Sequence, residues 1–298
     1  MKKYVIITDS CSDLDKTLRE QFDIDYIPMH VNFEGKEYDA DLDYREVSLE
    51  EYYNLMKRGV RIKTAQINAN EYIPFFEKYI KDGFDVLYIA CSSALSHSVD
   101  ESYKARDELK EKYPDAKVIC VDSLTACFAL GMLCIRASEL RAEGKSIEET
   151  AEWIIKNRKT VNQECTVETL KYLKQAGRVS AASAFFGGLL SVKPIIISDV
   201  TGINAAVEKV KGRMNSINRL VERFKEEYVS VPYQRVRVVH GDGEADGKIL
   251  LEKIKEVIPD KDVEVTFGNI GPIVGATTGP GTLAVYFYGK EVTFNSKA

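Results

Sequence analysis

Three apolar runs in this chain end alike. "YVIITDS" (4–10), "DVLYIACSS" (85–93) and "KVICVDS" (117–123) each close on small polar residues and hand over to a stretch with helical spacing. Strands that alternate with helices require right-handed crossovers and a largely parallel sheet. In such sheets ligands lodge outside the carboxyl ends of the strands, so these Ser- and Asp-bearing ends form a candidate polar site. Ser and Asp are also favoured N-caps, and that reading covers Ser12, Ser98 and Ser123. Ser96 differs. Ser98 and Glu101 have the spacing of a capping box, which leaves the Ser96 hydroxyl uncommitted near the positive end of a helix, where a carboxylate is at home.

The periodicity predicts a strand over 3–10 and a helix over 12–22, with Ser12 and Asp15 in capping-box positions. An extended stretch follows over 25–35, then helices over 48–59 and 68–83 and a strand over 85–90. A helix over 99–113, a strand over 117–123 and helices over 124–144 and 146–159 complete the first half. Beyond residue 160 the alternation loosens. A short strand, helix and turn span 166–180, an apolar small-residue run spans 181–198, and helices fall at 213–228 and 246–258. Strands are expected at 235–242, 262–268 and 283–294, the last turning as a hairpin at Gly289-Lys290. The expected fold is α/β with two domains: a largely parallel α/β/α sheet over 1–160 and an α+β domain over 161–298.

Composition narrows the function. A net charge of −5 gives no cationic surplus for displacing counterions from nucleic acid. No apolar run approaches the roughly 20 residues of a membrane span, and the opening residues do not form a signal peptide, so the expected location is cytoplasmic. Transient membrane contact is compatible with this; stable insertion is not. Six cysteines form no C-x-x-C pair and the three histidines lie far apart, so no metal site is expected. The cysteines read as buried small hydrophobes, with Cys11 kept as a weak nucleophile candidate at a strand end. There is no P-loop, and the glycine-rich "GPIVGATTGPGT" (271–282) precedes a strand where a dinucleotide fingerprint would follow one. Scarce histidine lowers the odds of acid–base catalysis. The sequence argues for a binder with no catalytic residues and no cofactor, over a hydrolase or phosphatase acting at the strand ends.

Several segments, taken in order, resemble one family. "TDSCSDL" (8–14), "KTAQIN" (63–68), "SSALS" (92–96), "VDSLTACFALG" (121–131), "LKQAGRVS" (173–180), "VKP" (192–194) and "GPIVGATTGPGTLAVYF" (271–287) are similar to the ordered signatures of DegV proteins. The resemblance implies two domains with a long-chain fatty acid, of the palmitate, stearate or oleate class, in a tunnel between them. It further implies a role as the acyl-binding subunit of a fatty acid kinase, presenting the carboxyl group to a separate ATP-dependent partner. A lipid carrier or sensor without a kinase is the alternative. Carried over residue by residue, the head group falls to Thr64 and Ser96, with Ser93 and Thr277 beside them and His97, Arg178 and Gln66 as auxiliaries. The run "SAASAFFGGLLSV" (180–192) is suited to lining the tunnel. This chain departs from the family pattern with Thr64-Ala65-Gln66-Ile67-Asn68 for "TSQPS", with His97-Ser98 for Gly-Thr, and with Thr277 where a histidine is common.

Overall fold

The computed structural model describes residues 3–180 and 192–296. By internal packing the chain divides into two compact units. The first comprises 1–46, 64–158 and 271–273; the second comprises 47–63, 159–270 and 274–298. The sequence division at 160/161 put 47–63 with the first domain, whereas that segment packs within the second unit.

The elements run in this order through the first half: β1 (Tyr4–Asp9), α1 (Lys16–Phe22), β2 (Ile24–Ile27), β3 (His30–Phe33), β4 (Lys36–Asp39), α2 (Leu49–Lys57, in the second unit), β5 (Lys63–Ala65), α3 (Ala69–Lys81), β6 (Asp85–Ala90), α4 (Ser98–Lys112), β7 (Val118–Asp122), α5 (Cys127–Ala142) and α6 (Ile147–Asn157). β2, β1, β6 and β7 form a four-stranded sheet in that order, all parallel. Continuous apolar runs suit strands covered on both faces, and every residue of β6 is buried. Helix α5 is buried almost all round, which its near-unbroken apolar sequence allows. Gly131 on that helix is required: a Cβ there would lie 2.8 Å from the Ser12 carbonyl oxygen and 2.9 Å from Leu14 Cδ2.

Local chemistry sets the helix starts. Ser146 and Glu149 box the start of α6, and Asn68 and Glu71 do the same for α3. Three expectations are corrected here. Helix α1 begins at Lys16, capped by Asp15 through the Leu18 N–H at 3.0 Å; Ser12 belongs to a separate turn over Ser10–Ser12. Helix α5 begins at Cys127, because side-chain turns at Asp122 and Ser123 hold the preceding chain, with Leu124 and Cys127 at φ of 55° and 54°. Helix α4 has His97 at its cap with no side-chain cap bond, and Ser98 lies inside the first turn.

The second half contains β8 (Val161–Thr166), α7 (Lys171–Ala176), β9 (Val179–Ser180), β10 (Val192–Ser198), β11 (Asn204–Lys211), α8 (Arg213–Glu227), β12 (Val236–Gly241), α9 (Glu244–Val257), β13 (Val265–Asn269), α10 (Pro272–Thr278) and β14 (Thr282–Tyr288). Its seven-stranded mixed sheet has the order β13-β12-β14-β8-β10-β11-β9. α8 and α9 bury Ile217, Leu220, Phe224, Leu250 and Ile254 against Val238, Leu283, Val285 and Phe287 of the sheet. The hairpin expected at Gly289-Lys290 does not form. β14 is already paired on both edges, with β12 and β8, so residues beyond 288 find other acceptors: Lys290 N–H donates to Glu227 O and Val292 N–H to Lys159 O. The β10–β11 hairpin and α10 carry no clear sequence signal, and a small sheet of order β4-β3-β5 adds a third layer of pairing. The run 181–191, expected to line the tunnel, lies outside the described residues.

Candidate functional site

The carboxyl ends of β1 and β6 meet through one buried carboxylate, and that of β7 joins the β6 end through a second carboxylate. Asp9 Oδ1 accepts the Cys11 N–H at 2.9 Å, and Oδ2 accepts the Cys91 N–H at 2.8 Å and the Tyr88 hydroxyl at 2.9 Å. Burial pushes the Asp9 carboxyl above its usual range, against the pull of those three donors. Asp122 at the end of β7 accepts the N–H groups of Ser93 (3.3 Å) and Leu124 (2.9 Å). The sequence reading missed Asp9 as the tie. Its signal was Tyr88, a phenol among the aliphatic residues 86–90 of a buried strand, which needs a polar partner.

Beyond β6 the chain turns tightly. Leu95 and Ser96 N–H both donate to Ser92 O at 3.0 Å, and Ala94 N–H donates to Ser92 Oγ. This turn delivers Ser96, half-buried, to the start of α4. Ser96 Oγ accepts the Ser98 N–H at 3.3 Å and lies 3.0 Å from Ser98 Oγ. Ser98 Oγ also accepts the Ile67 N–H at 3.2 Å. Glu101, in place of boxing the cap, accepts the Ala69 N–H at 3.2 Å. Two bonds from α4 thus tie down Ile67 and Ala69 in the segment that follows β5. Thr64, Gln66 and Ser93 are half-buried. The segments 63–68 and 91–98 carry hydroxyls and backbone donors with no lysine or arginine beyond Lys63 at the edge of β5. Such a set can hold a carboxylate without locking it in.

The remaining site residues stand differently. His97 is exposed, its Nδ1 2.9 Å from Asp100 Oδ2. Thr277 and Arg178 belong to the second unit. The Thr277 hydroxyl donates to Val274 O at 2.8 Å, and the exposed Arg178 guanidinium donates to Ala176 O. His240, also in the second unit, is buried; burial lowers its pKa, and its Nδ1 accepts the Gly243 N–H at 3.3 Å. Cys11 is no nucleophile: its hydrogen bond with Cys91, together with burial, pushes the thiol well above its ordinary pKa. Among the described residues no three His, Cys, Asp or Glu side chains cluster as a metal site, and no helix is long and apolar enough to cross a membrane.

A parallel α/β sheet with a neutral donor corner at its carboxyl end, followed by a mixed-sheet α/β unit, defines the class, and comparison with known proteins gives the family. Residues 3–290 match the model of the DegV family, whose description is that of an uncharacterised protein; the chain belongs to the DegV family. A DegV domain-containing protein of Clostridium perfringens is 38% identical over 289 residues, covering 97% of this chain and 98% of that one. Among solved structures, a DegV lipid-binding protein of Thermotoga maritima is similar with a TM-score of 0.84 at 27% identity, covering 98% of this chain and 100% of its own. DegV of Bacillus subtilis, described as a fatty acid binding protein, gives 0.83 at 27%, with 97% and 100% covered. A Thermus thermophilus family member described by its fatty acid binding gives 0.84 at 25%, with 97% and 100% covered.

Proposed function

We propose that this protein binds a long-chain fatty acid, with the carboxylate held by Thr64 and Ser96 and flanked by Ser93 and Gln66, and the acyl chain buried in an apolar tunnel. The observation that carries the reading is the Ser98 hydroxyl, which joins the Ser96 turn to Ile67, three residues past Thr64. The similar proteins of Bacillus subtilis and Thermus thermophilus, named for fatty acid binding, support the same ligand class. Each buried CH₂ contributes about 0.8 kcal/mol, so an acyl chain supplies the affinity while the corner supplies orientation. The bound acid is then presented to a separate ATP-dependent kinase that phosphorylates the carboxyl group. A carrier that meets no kinase is the second reading, favoured by Thr277, which cannot carry positive charge where the family pattern has histidine.

Native mass spectrometry of the protein from a bacterial host tests the ligand: a retained mass of a C14–C18 acid is expected. The Thr64→Ala/Ser96→Ala double variant removes two bonds to a charged group and should weaken palmitate binding at least about tenfold with little change in ligand-free stability. Equal affinity in variant and parent would remove the head-group assignment.

A further inference from the structure

The segment that carries Thr64 is attached at both ends to one strand, β3. At its start, β5 is the neighbour of β3 in the sheet of order β4-β3-β5. At its end, the Asn68 N–H donates to Glu71 Oε2 at 2.9 Å, and the Asn68 side-chain amide donates to the same oxygen at 3.1 Å. The other oxygen of Glu71 leads back to β3: Oε1 lies 2.5 Å from His30 Nε2. Only Gln66, Ile67 and Asn68 separate β5 from α3, so little chain is left between the two attachments.

A capping box needs one glutamate oxygen. Here the second oxygen is committed as well, to a histidine 41 residues earlier in the chain. His30 in turn stands between two carboxylates. Its Nδ1 lies 3.4 Å from Oδ1 of Asp39, its cross-strand partner on β4, and its side chain is 17% exposed. Glu71 also has a firm base, since Tyr72 and Phe76 of α3 are each 0% exposed. The N–H groups that lead into α3 are taken in order: Ile67 by Ser98 Oγ, Asn68 by Glu71 Oε2 and Ala69 by Glu101 Oε2. Of these three acceptors, Glu71 is the one bonded to the strand that neighbours Thr64's own.

A donor serves a ligand only when its neighbours, themselves locked by hydrogen bonds, hold it within about 0.5 Å of its working place. We infer that Glu71 and His30 are positioning residues for the fatty carboxylate and act through Thr64: Glu71 fixes the path by which the chain leaves β5, and His30 fixes Glu71. The inference rests on Thr64 being a head-group residue. The charge of Glu71 suits the amino end of α3, so the clamp stands without ligand and the Thr64 donor is set before the acid arrives.

Titration calorimetry of the full chain with decanoate reads the effect, and Thr64→Ala sets its scale. Glu71→Ala should weaken decanoate binding at least about fivefold, whereas Glu71→Gln, whose amide oxygen still accepts the Asn68 N–H, should stay within about twofold of the parent. His30→Ala keeps the capping box but frees Glu71, so a loss of about threefold is expected. A merely structural role would give the same losses whether or not Thr64 is present. In a Thr64→Ala background, by contrast, neither Glu71→Ala nor His30→Ala should weaken binding further, because the donor they place is gone. Thermal melts show which variants are folded, and if Glu71→Ala is not, the His30→Ala cycle decides. Binding weakened by Thr64→Ala but unchanged in the folded Glu71 and His30 variants overturns the inference and leaves the fatty-acid reading intact. So do losses that persist undiminished in the Thr64→Ala background. Undiminished binding by Thr64→Ala removes the head-group assignment and this inference with it. A parent that binds neither palmitate nor decanoate overturns the fatty-acid reading as a whole.

Discussion

Each unit of this protein buries a carboxylate in its sheet, and they hold it by opposite means. Asp9, wholly buried in the first unit, is met by two backbone N–H groups and a phenol. Glu164, 1% exposed in the second, is met by the Arg223 guanidinium, through Nε and, at 3.1 Å, Nη2. Arg223 also reaches Glu208 at 2.9 Å, and Arg219 binds Glu208 and Glu226, so the second carboxylate belongs to a web of charge across β8, β11 and α8. Burial pushes both acids upward. The difference is in what each can do. Glu164 and its guanidinium partner join a strand of the sheet to a helix. Asp9, held by neutral donors, joins the turn after one strand to the end of its neighbour.

The sharpest way to break this contrast is to remove the guanidinium. Arg223→Met strands Glu164 in the interior and should cost about 3–5 kcal/mol in denaturant unfolding, whereas Glu164→Leu/Arg223→Met should recover most of that loss. A single-variant cost as small as that of a surface pair would mean that the web contributes little. The next effect is pH dependence. Burial, against the pull of Arg223, raises the Glu164 carboxyl to about 7. The folded state then holds this proton more tightly than the unfolded chain, whose carboxyl titrates near 4.5. Its contribution to stability is therefore complete below that value and is lost as pH rises to about 7. The parent should lose on the order of 3 kcal/mol over this window relative to Glu164→Gln, read as the difference between their stability–pH curves.

Asp9→Asn should be milder. An amide cannot accept all three donors, so about 1–3 kcal/mol should be lost, measured by chemical denaturation. A cost above that of Arg223→Met would show that neutral donors fix a charge more firmly than an arginine does. The smallest effect belongs to His97, whose contact with Asp100 is solvated. His97→Ala should change stability by less than about 0.5 kcal/mol in thermal melts, as exposed pairs do.

Much of the first unit was legible because its signals are local. The apolar runs at 4–9 and 85–90 fix β1 and β6, and the Ser146/Glu149 spacing fixes the start of α6. The errors fell where a local signal had a rival in space. Glu101 has capping-box spacing from Ser98, yet it bonds Ala69, thirty-two residues away, and Ser98 turns to Ile67. The segment 283–294 has the pattern of a hairpin, but β14 had no free edge to receive its second arm. Thr64 was reached through a family signature and Ser96 also from its place just before a helix; nothing in their own spacing joins them.

The sequence by itself determined which residue types stand at the strand ends, because the period of apolar residues and the preference of Ser and Asp for such ends are properties of short windows. It also determined that the Ser96 corner would carry neutral donors, since the segment 91–98 contains no lysine or arginine. Only the tertiary structure decided that Asp9 collects the N–H groups of Cys11 and Cys91, and that Tyr72 on α3 meets Tyr88 on β6. The reason is geometric. Hydrogen bonds form between atoms about 3 Å apart whatever their separation along the chain. That separation is closed by sheet pairing and helix packing, which no short window of residues encodes.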